Sequence, residues 1–175
     1  MLHAFDPGTA LGWAYWRPGA GGPVSRLINL KAESEGAVYA RAQSHLRDII
    51  NAGDLVAVEA PVLPQGVSIG SRLVLFGIRA IIFKVAFERG ANRIVEFPPS
   101  EWRRHYLGVS QAPKGTPKNK RRDWIKRKAQ AAAVERGWGA VTVDEADALG
   151  ILDFFRSKVD QDYAAASVPM FRGLV

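Results

Sequence analysis

The 175-residue sequence contains no cysteine. That absence excludes disulfide scaffolds, cysteine-ligated zinc, iron–sulfur clusters and cysteine nucleophiles together, and it leaves the redox compartment unreadable. Histidine is scarce, and His3, His45 and His105 are scattered without metal-ligand spacing. No serine or threonine stands in a nucleophile-elbow context. Long uncharged apolar runs are missing, so no membrane span is expected. The first six residues, Met1 to Asp6, lack the basic region and apolar stretch of a signal peptide, and the expected location is the cytoplasm. Gly19 to Gly22 lacks the lysine of a phosphate-binding loop and reads as an exposed hairpin connection.

What remains is the composition of one globular domain. Hydrophobic residues make up 47% of the chain, enough for a proper core. A single domain is expected, with its core over about residues 2–156 and a tail over 157–175. The formal net charge is +7, and it is not spread evenly. Pro99 to Lys128 holds 10 basic and 2 acidic residues, whereas the rest of the chain holds 14 basic and 15 acidic. A basic segment on a near-neutral body points to a polyanion partner, usually nucleic acid; the plainer reading is a solubilising charged surface.

Apolar runs and turn residues place the elements. Leu2 to Asp6, Leu11 to Trp16 and Val24 to Leu30 read as three short strands in an antiparallel meander. Glu33 to Ala52 reads as a helix, with Val38, Ala42, Leu46 and Ile49 on one face and Gly53 as its stop. Leu55 to Glu59 is a buried central strand. Ser71 to Arg89 is a strongly apolar helix, expected in the core or in a subunit interface. Arg93 to Phe97 is a fifth strand, and Ser100 is the expected N-cap of a helix reaching Leu107. A polar loop, a basic helix from Lys118 to Arg136 and a last helix from Val143 to Phe155 complete the pattern. The order implies an α/β fold, a mixed five-stranded sheet flanked by helices.

Four acids sit where acids are costly. Asp6 and Glu59 each end an apolar strand. Asp144 and Asp147 are three residues apart on the last helix, so they share a face about 4.5 Å apart along the axis. Leu149 and Leu152 bury the helix beside them. Such carboxylates need an arginine or a divalent cation to compensate their desolvation. Oxygen ligands suit magnesium and manganese, and two such ions can activate water and stabilise the leaving oxygen in phosphodiester cleavage. Taken singly, three of the acids have another reading: Asp6 can cap a turn, Asp144 can be the N-cap of the last helix, and Asp147 can favour the positive end of its dipole. Taken together, with a basic segment between Glu59 and Asp144, they favour a metal site.

These residues carry a resemblance. Asp6-Pro7-Gly8-Thr9-Ala10-Leu11-Gly12-Trp13-Ala14 resembles the first-strand motif of RuvC-type Holliday-junction resolvases. Val56-Ala57-Val58-Glu59 resembles their second acidic motif, and Asp144-Glu145-Ala146-Asp147-Ala148-Leu149 their C-terminal helix motif. The resemblance spans Leu2 to Phe155. Pro98-Pro99-Ser100-Glu101-Trp102-Arg103, followed by Leu107-Gly108, is similar to a segment of phage and prophage members. The resemblance implies a ribonuclease-H-like fold, a homodimer and cleavage of branched DNA with Mg2+ or Mn2+, two ions per active site. Asp6, Glu59, Asp144 and Asp147 would be the catalytic metal ligands, with Asp6 bridging both ions. The helix Ser71 to Arg89 would supply much of the dimer interface. The chain departs from the family in the loop Ala60-Pro61-Val62-Leu63-Pro64-Gln65, which has no aromatic after the second acid. Val62 or Leu63 is left as an apolar wedge, a departure compatible with a broader branched-DNA nuclease.

The basic segment supplies the candidate DNA contacts Arg103, Arg104, Lys114, Lys118, Lys120, Arg121 and Arg122, with Lys126, Arg127 and Lys128 behind them. Trp102 and Trp124 lie among these charges, and core packing is favoured over base stacking for both. The leading expectation is a metal-dependent, structure-selective DNA endonuclease acting on four-way junctions and other branched DNA. The alternatives are a non-catalytic branched-DNA binder and a ribonuclease acting on RNA–DNA hybrid. An actin-like phosphotransferase, suggested by Asp6 to Thr9, needs two domains and more chain than this.

Overall fold

The computed structural model describes residues 1–61, 68–139 and 141–167. Its centre is strand β1 (Leu2–Asp6), which pairs antiparallel with β2 (Ala10–Trp16) and parallel with β4 (Leu55–Glu59). β3 (Val24–Asn29) and β5 (Arg93–Phe97) form the edges, so the sheet order is β3-β2-β1-β4-β5. The three-strand meander and the mixed five-stranded sheet are those read from the sequence.

Alternation along the strands separates two cores. Phe5, Leu11, Val56 and Val58 face helices α1 (Glu35–Ile49) and α2 (Ile69–Glu88). Leu2, Ala4, Ala14 and Ala57 face the other way, toward α3 (Pro99–Leu107), α4 (Arg121–Glu135) and α5 (Val143–Val159). The centre of the second face is small, with Ala4, Ala14 and Ala57, and α5 packs upon it. Its residues Ala146 to Phe155 are all buried, because α5 is sandwiched between the sheet and the other two helices. No helix among the described residues is long and apolar enough to cross a membrane.

Capping chemistry moves several helix ends from their expected places. Ser34 accepts the Ala37 N–H, so α1 starts at Glu35 and ends at Ile49, inside the expected span. Ser68 caps α2, which starts at Ile69 rather than Ser71. Ser100 is not an N-cap: Pro98 holds that position, and Pro99 takes the first turn of α3, where a missing N–H costs nothing. Gly108, at φ 72°, closes α3 in the left-handed conformation. Lys118–Lys120 form a single 3-10 turn ahead of α4. Asp144 is not an N-cap either. Thr142 caps α5 through a capping box, its hydroxyl accepting the Glu145 N–H while the Glu145 carboxylate accepts the Thr142 N–H. α5 also continues past Phe155 to Val159. Beyond it, the segment read as tail carries a short helix α6 (Gln161–Ser167), where the Tyr163 hydroxyl donates to buried Asp153.

Two of the three histidines pair with buried aspartates. His3 is fully buried: Trp13 Nε1–H donates to its Nδ1 at 3.1 Å, and its Nε2 lies 3.0 Å from Asp54 Oδ2. An indole N–H can only donate, so Nδ1 is the acceptor and Nε2 carries the proton shared with Asp54. His105 pairs with Asp153 at 3.1 Å, away from the carboxylates considered next.

Candidate functional site

β1 and β4 run parallel side by side, so their C-terminal ends emerge at the same edge of the sheet. Asp6 is two residues beyond Ala4, and Glu59 two beyond Ala57. Both therefore leave their strands on the face covered by α5. The first turn of α5 brings Asp144 and Asp147 to the same place. The four acids predicted from sequence thus line one cleft of about 700 Å³.

A close approach makes this possible. Gly12 is the register partner of Asp6 on β2, and a Cβ built on it would lie 2.1 Å from the Asp144 carbonyl oxygen. Only a glycine lets the start of α5 settle this near the sheet.

The electrostatics of the cluster are those of crowded, buried acids. Burial, followed by the charges of Glu59, Asp147 and Asp144, pushes the Asp6 carboxyl well above the usual carboxylate range. Burial also raises Glu59, against the opposing pull of Arg103 and of a hydrogen bond from Trp102. Asp147 is pushed up to about 7, first by burial and then by the Glu59 charge. Its Oδ1 is buried without a hydrogen-bond partner, an unusual state for a carboxylate oxygen.

Three nitrogen groups reach into the cluster. Lys126 Nζ donates to Asp144 Oδ1 at 2.9 Å. Trp102 Nε1 donates to Glu59 Oε1 at 2.9 Å, and Arg103 Nη2 reaches the same oxygen at 3.5 Å. Arg121 and Arg122 also line the cleft. Of the other basic residues predicted to contact DNA, Arg104, Lys114, Lys118 and Lys120 are exposed but outside the cleft lining. The apolar wedge assigned to Val62 or Leu63 lies outside the described residues.

Sequence reasoning missed the roles of three residues. Lys126 was one charge among ten, although its i, i+4 spacing from Arg122 places the two on one face. Trp102 is core, as its reading favoured, but its N–H also serves a carboxylate. Gly12 carried a signal, a glycine inside a strand, which marks a close backbone approach.

The donors at the cleft are oxygens only, the preference of hard divalent ions. Among the described residues, no three acids or histidines close around one point as a ready-made cage. An open cluster with an orphaned buried oxygen suits magnesium, which keeps several waters and takes one or two carboxylates.

Comparison with known proteins supports the architecture. No family profile and no curated sequence matches the chain. Solved structures do: RuvC of Thermus thermophilus superposes with a TM-score of 0.61 at 19% identity, covering 90% of this chain and 95% of that one. T. thermophilus RuvC in complex with Holliday junction substrate gives 0.60 at 16% identity, covering 93% and 96%. The fold is thus the α/β, ribonuclease-H-like arrangement of RuvC, a mixed five-stranded sheet flanked by helices.

Proposed function

We propose that this chain is a metal-dependent endonuclease that hydrolyses phosphodiester bonds in branched DNA, four-way junctions included. The observation that carries the reading is the cleft itself: four carboxylates from β1, β4 and α5 on a floor walled by Arg103, Arg121, Arg122 and Lys126. The shared fold with RuvC, whose structure is known in complex with a Holliday junction, supports it.

Asp6, Glu59, Asp144 and Asp147 would hold Mg2+ or Mn2+, two ions per site. When bound, such ions supply an activated water and stabilise charge on the leaving oxygen. The remaining work falls to the chain's own groups. Asp6, Glu59 and Asp147 are held in a buried setting that disfavours their ionised forms, so the cluster draws positive charge. Arg103 and Lys126 partly neutralise the floor and let a phosphodiester approach it. Arg121 and Arg122 on the walls would take flanking phosphates. Arg104, Lys114, Lys118 and Lys120 would extend the contact along the backbone, adding affinity without sequence information.

Ile69, Leu73 and Phe76 lie one helical turn apart on α2 and are exposed. A homodimer through this apolar face would present two clefts about a two-fold axis, matching the symmetry of a four-way junction.

A cleavage assay with Mg2+ or Mn2+ tests the proposal on a four-way junction, a Y-fork, linear duplex and RNA–DNA hybrid. Paired nicks in the junction, lost in Asp147→Asn, are expected. Cutting of the hybrid alone would move the assignment to a ribonuclease. Junction binding without cutting under either metal would leave a DNA-binding protein.

A further inference from the structure

Trp102 joins two parts of the cleft that the sequence keeps far apart. Its side chain is fully buried. The indole rests in a notch on α5 at Gly150, where a Cβ would lie 2.6 Å from ring atom Cζ3 and 2.7 Å from Cε3. On its polar edge, Nε1 donates to Glu59 Oε1 at 2.9 Å. One side chain therefore spans from the helix carrying Asp144 and Asp147 to the end of the strand carrying Glu59. Arg103 follows it in sequence, lies 5.1 Å over its ring and reaches the same carboxylate oxygen.

The chemistry of this contact is one-sided. An indole N–H donates and never accepts, so it satisfies a lone pair of the carboxylate and fixes its orientation. The notch fixes the donor in turn, because a ring pressed onto α5 has no other rotamer to take without a cavity forming. Trp102 and Arg103 both sit on Oε1, and Glu59 also shares a side-chain hydrogen bond with Asp6, a contact that a cation between the two acids would replace.

We infer that Trp102 is a positioning residue for Glu59: its buried N–H holds Oε1, so that Oε2 is presented to a divalent cation in register with the acids of α5. The inference rests on the metal-site reading of the cleft. Hydrogen-bonding partners behind a metal ligand commonly change metal affinity by about 10- to 100-fold when removed.

Two measurements on the DNA-free protein test it. The first is Mn2+ affinity, read by electron paramagnetic resonance, in wild type, Trp102→Phe and Asp147→Asn. Phenylalanine keeps an aromatic ring at this position and removes the donor, although the smaller ring leaves part of the notch at Gly150 unfilled. Trp102→Phe is expected to keep the wild-type circular dichroism spectrum and to bind Mn2+ about tenfold more weakly or worse. The second follows the indole N–H resonances of the five tryptophans. The Trp102 signal is expected to move upfield in Glu59→Ala and to shift when Mg2+ is added to wild type. This arm decides the matter if Trp102→Phe does not fold.

Wild-type Mn2+ affinity in Trp102→Phe, or a Trp102 signal unmoved in Glu59→Ala, would overturn the inference while leaving the metal site standing. A wild-type protein that takes up no Mn2+ would overturn the metal site and the inference together.

Discussion

Gly12 lies directly beneath Asp144. A single methyl group added to it would sit 2.1 Å from the Asp144 carbonyl oxygen and 3.3 Å from the Asp6 Cβ. The contact is backbone to backbone, so no side chain can turn aside. Gly12→Ala must lift the first turn of α5 from the sheet. Overpacking of this kind costs about 1–3 kcal/mol. Cleavage is expected to fall by far more than the unfolded fraction explains, because both acids of α5 move from Asp6. Urea denaturation alongside a junction-cleavage assay checks this; activity that follows stability alone would show that the approach is not needed for the site.

Asp147→Asn removes one negative charge from a buried, like-charged cluster. Metal-free protein at pH 8 should become more stable, by up to a few kcal/mol, since Asp147 is raised to about 7 by burial and by Glu59. Its melting temperature should also lose most of the rise that Mg2+ gives wild type. Thermal melts with EDTA and with Mg2+ measure both effects.

Lys126 Nζ sits 2.9 Å from Asp144 Oδ1, where it competes with any cation for that oxygen. Lys126→Met should tighten Mn2+ binding to DNA-free protein by roughly fivefold, the equivalent of about 1 kcal/mol for unit charges at 4 Å in a water-like medium. Cleavage should nevertheless slow, because the positive charge facing the phosphodiester is gone. Titration of Mn2+ and single-turnover cleavage separate the two outcomes.

Lys118→Ala with Lys120→Ala should weaken junction binding and flatten its dependence on salt. Two lost phosphate contacts lower the slope of log K against log salt concentration by about 1.8. Binding titrations at several salt concentrations read it directly. An unchanged slope would remove this turn from the DNA interface.

Two contributions to stability should be lost on the acid side, against the gain that protonating the raised acids Asp6, Glu59 and Asp147 gives metal-free protein over the same range. Burial lowers the pKa of His3 in the folded protein from 6.5. As pH drops below 6.5, the unfolded chain takes up a proton that the folded chain refuses, and stability is lost. Trp13 enforces the refusal, because its N–H already occupies Nδ1. Asp54 acts lower down. Burial pushes its carboxyl up, but the Met1 ammonium, the Asn51 N–H and His3 together hold it below 3.8. Its contribution is present above 3.8 and disappears as pH falls through the folded value. Denaturation midpoints from pH 8 to pH 3 should differ between wild type and His3→Gln by the upper contribution, a difference that shrinks as pH falls below 6.5.

Much of this arrangement was legible in the chain. Strands Leu2–Asp6, Leu55–Glu59 and Arg93–Phe97 end where their apolar runs end, since turn residues mark strand boundaries locally. The four acids were legible because a carboxylate at the end of an apolar run contradicts its surroundings. Helix starts were less so: Ser100 and Asp144 have the chemistry of N-caps, and Pro98 and Thr142 displaced them. Such contests are decided by which backbone N–H groups are left without partners, not by residue preference alone. The pairings Trp102 with Glu59 and Lys126 with Asp144 were not legible. They span 43 and 18 residues and depend on how helices lie across the sheet.

The burial of α5 at the heart of the fold has a consequence for how the protein is made. A growing chain acquires Asp6, Glu59 and the whole basic segment before Asp144 and Asp147 leave the ribosome. A chain stopped at residue 140 would therefore carry the positively charged surface without a complete carboxylate floor, and without the helix on which one face of the sheet packs. Under the proposed function, hydrolytic competence would arrive with the same helix that completes the core. The chain would then be unable to cut nucleic acid before it can fold, and a truncated product would be at worst an unstable competitor for DNA.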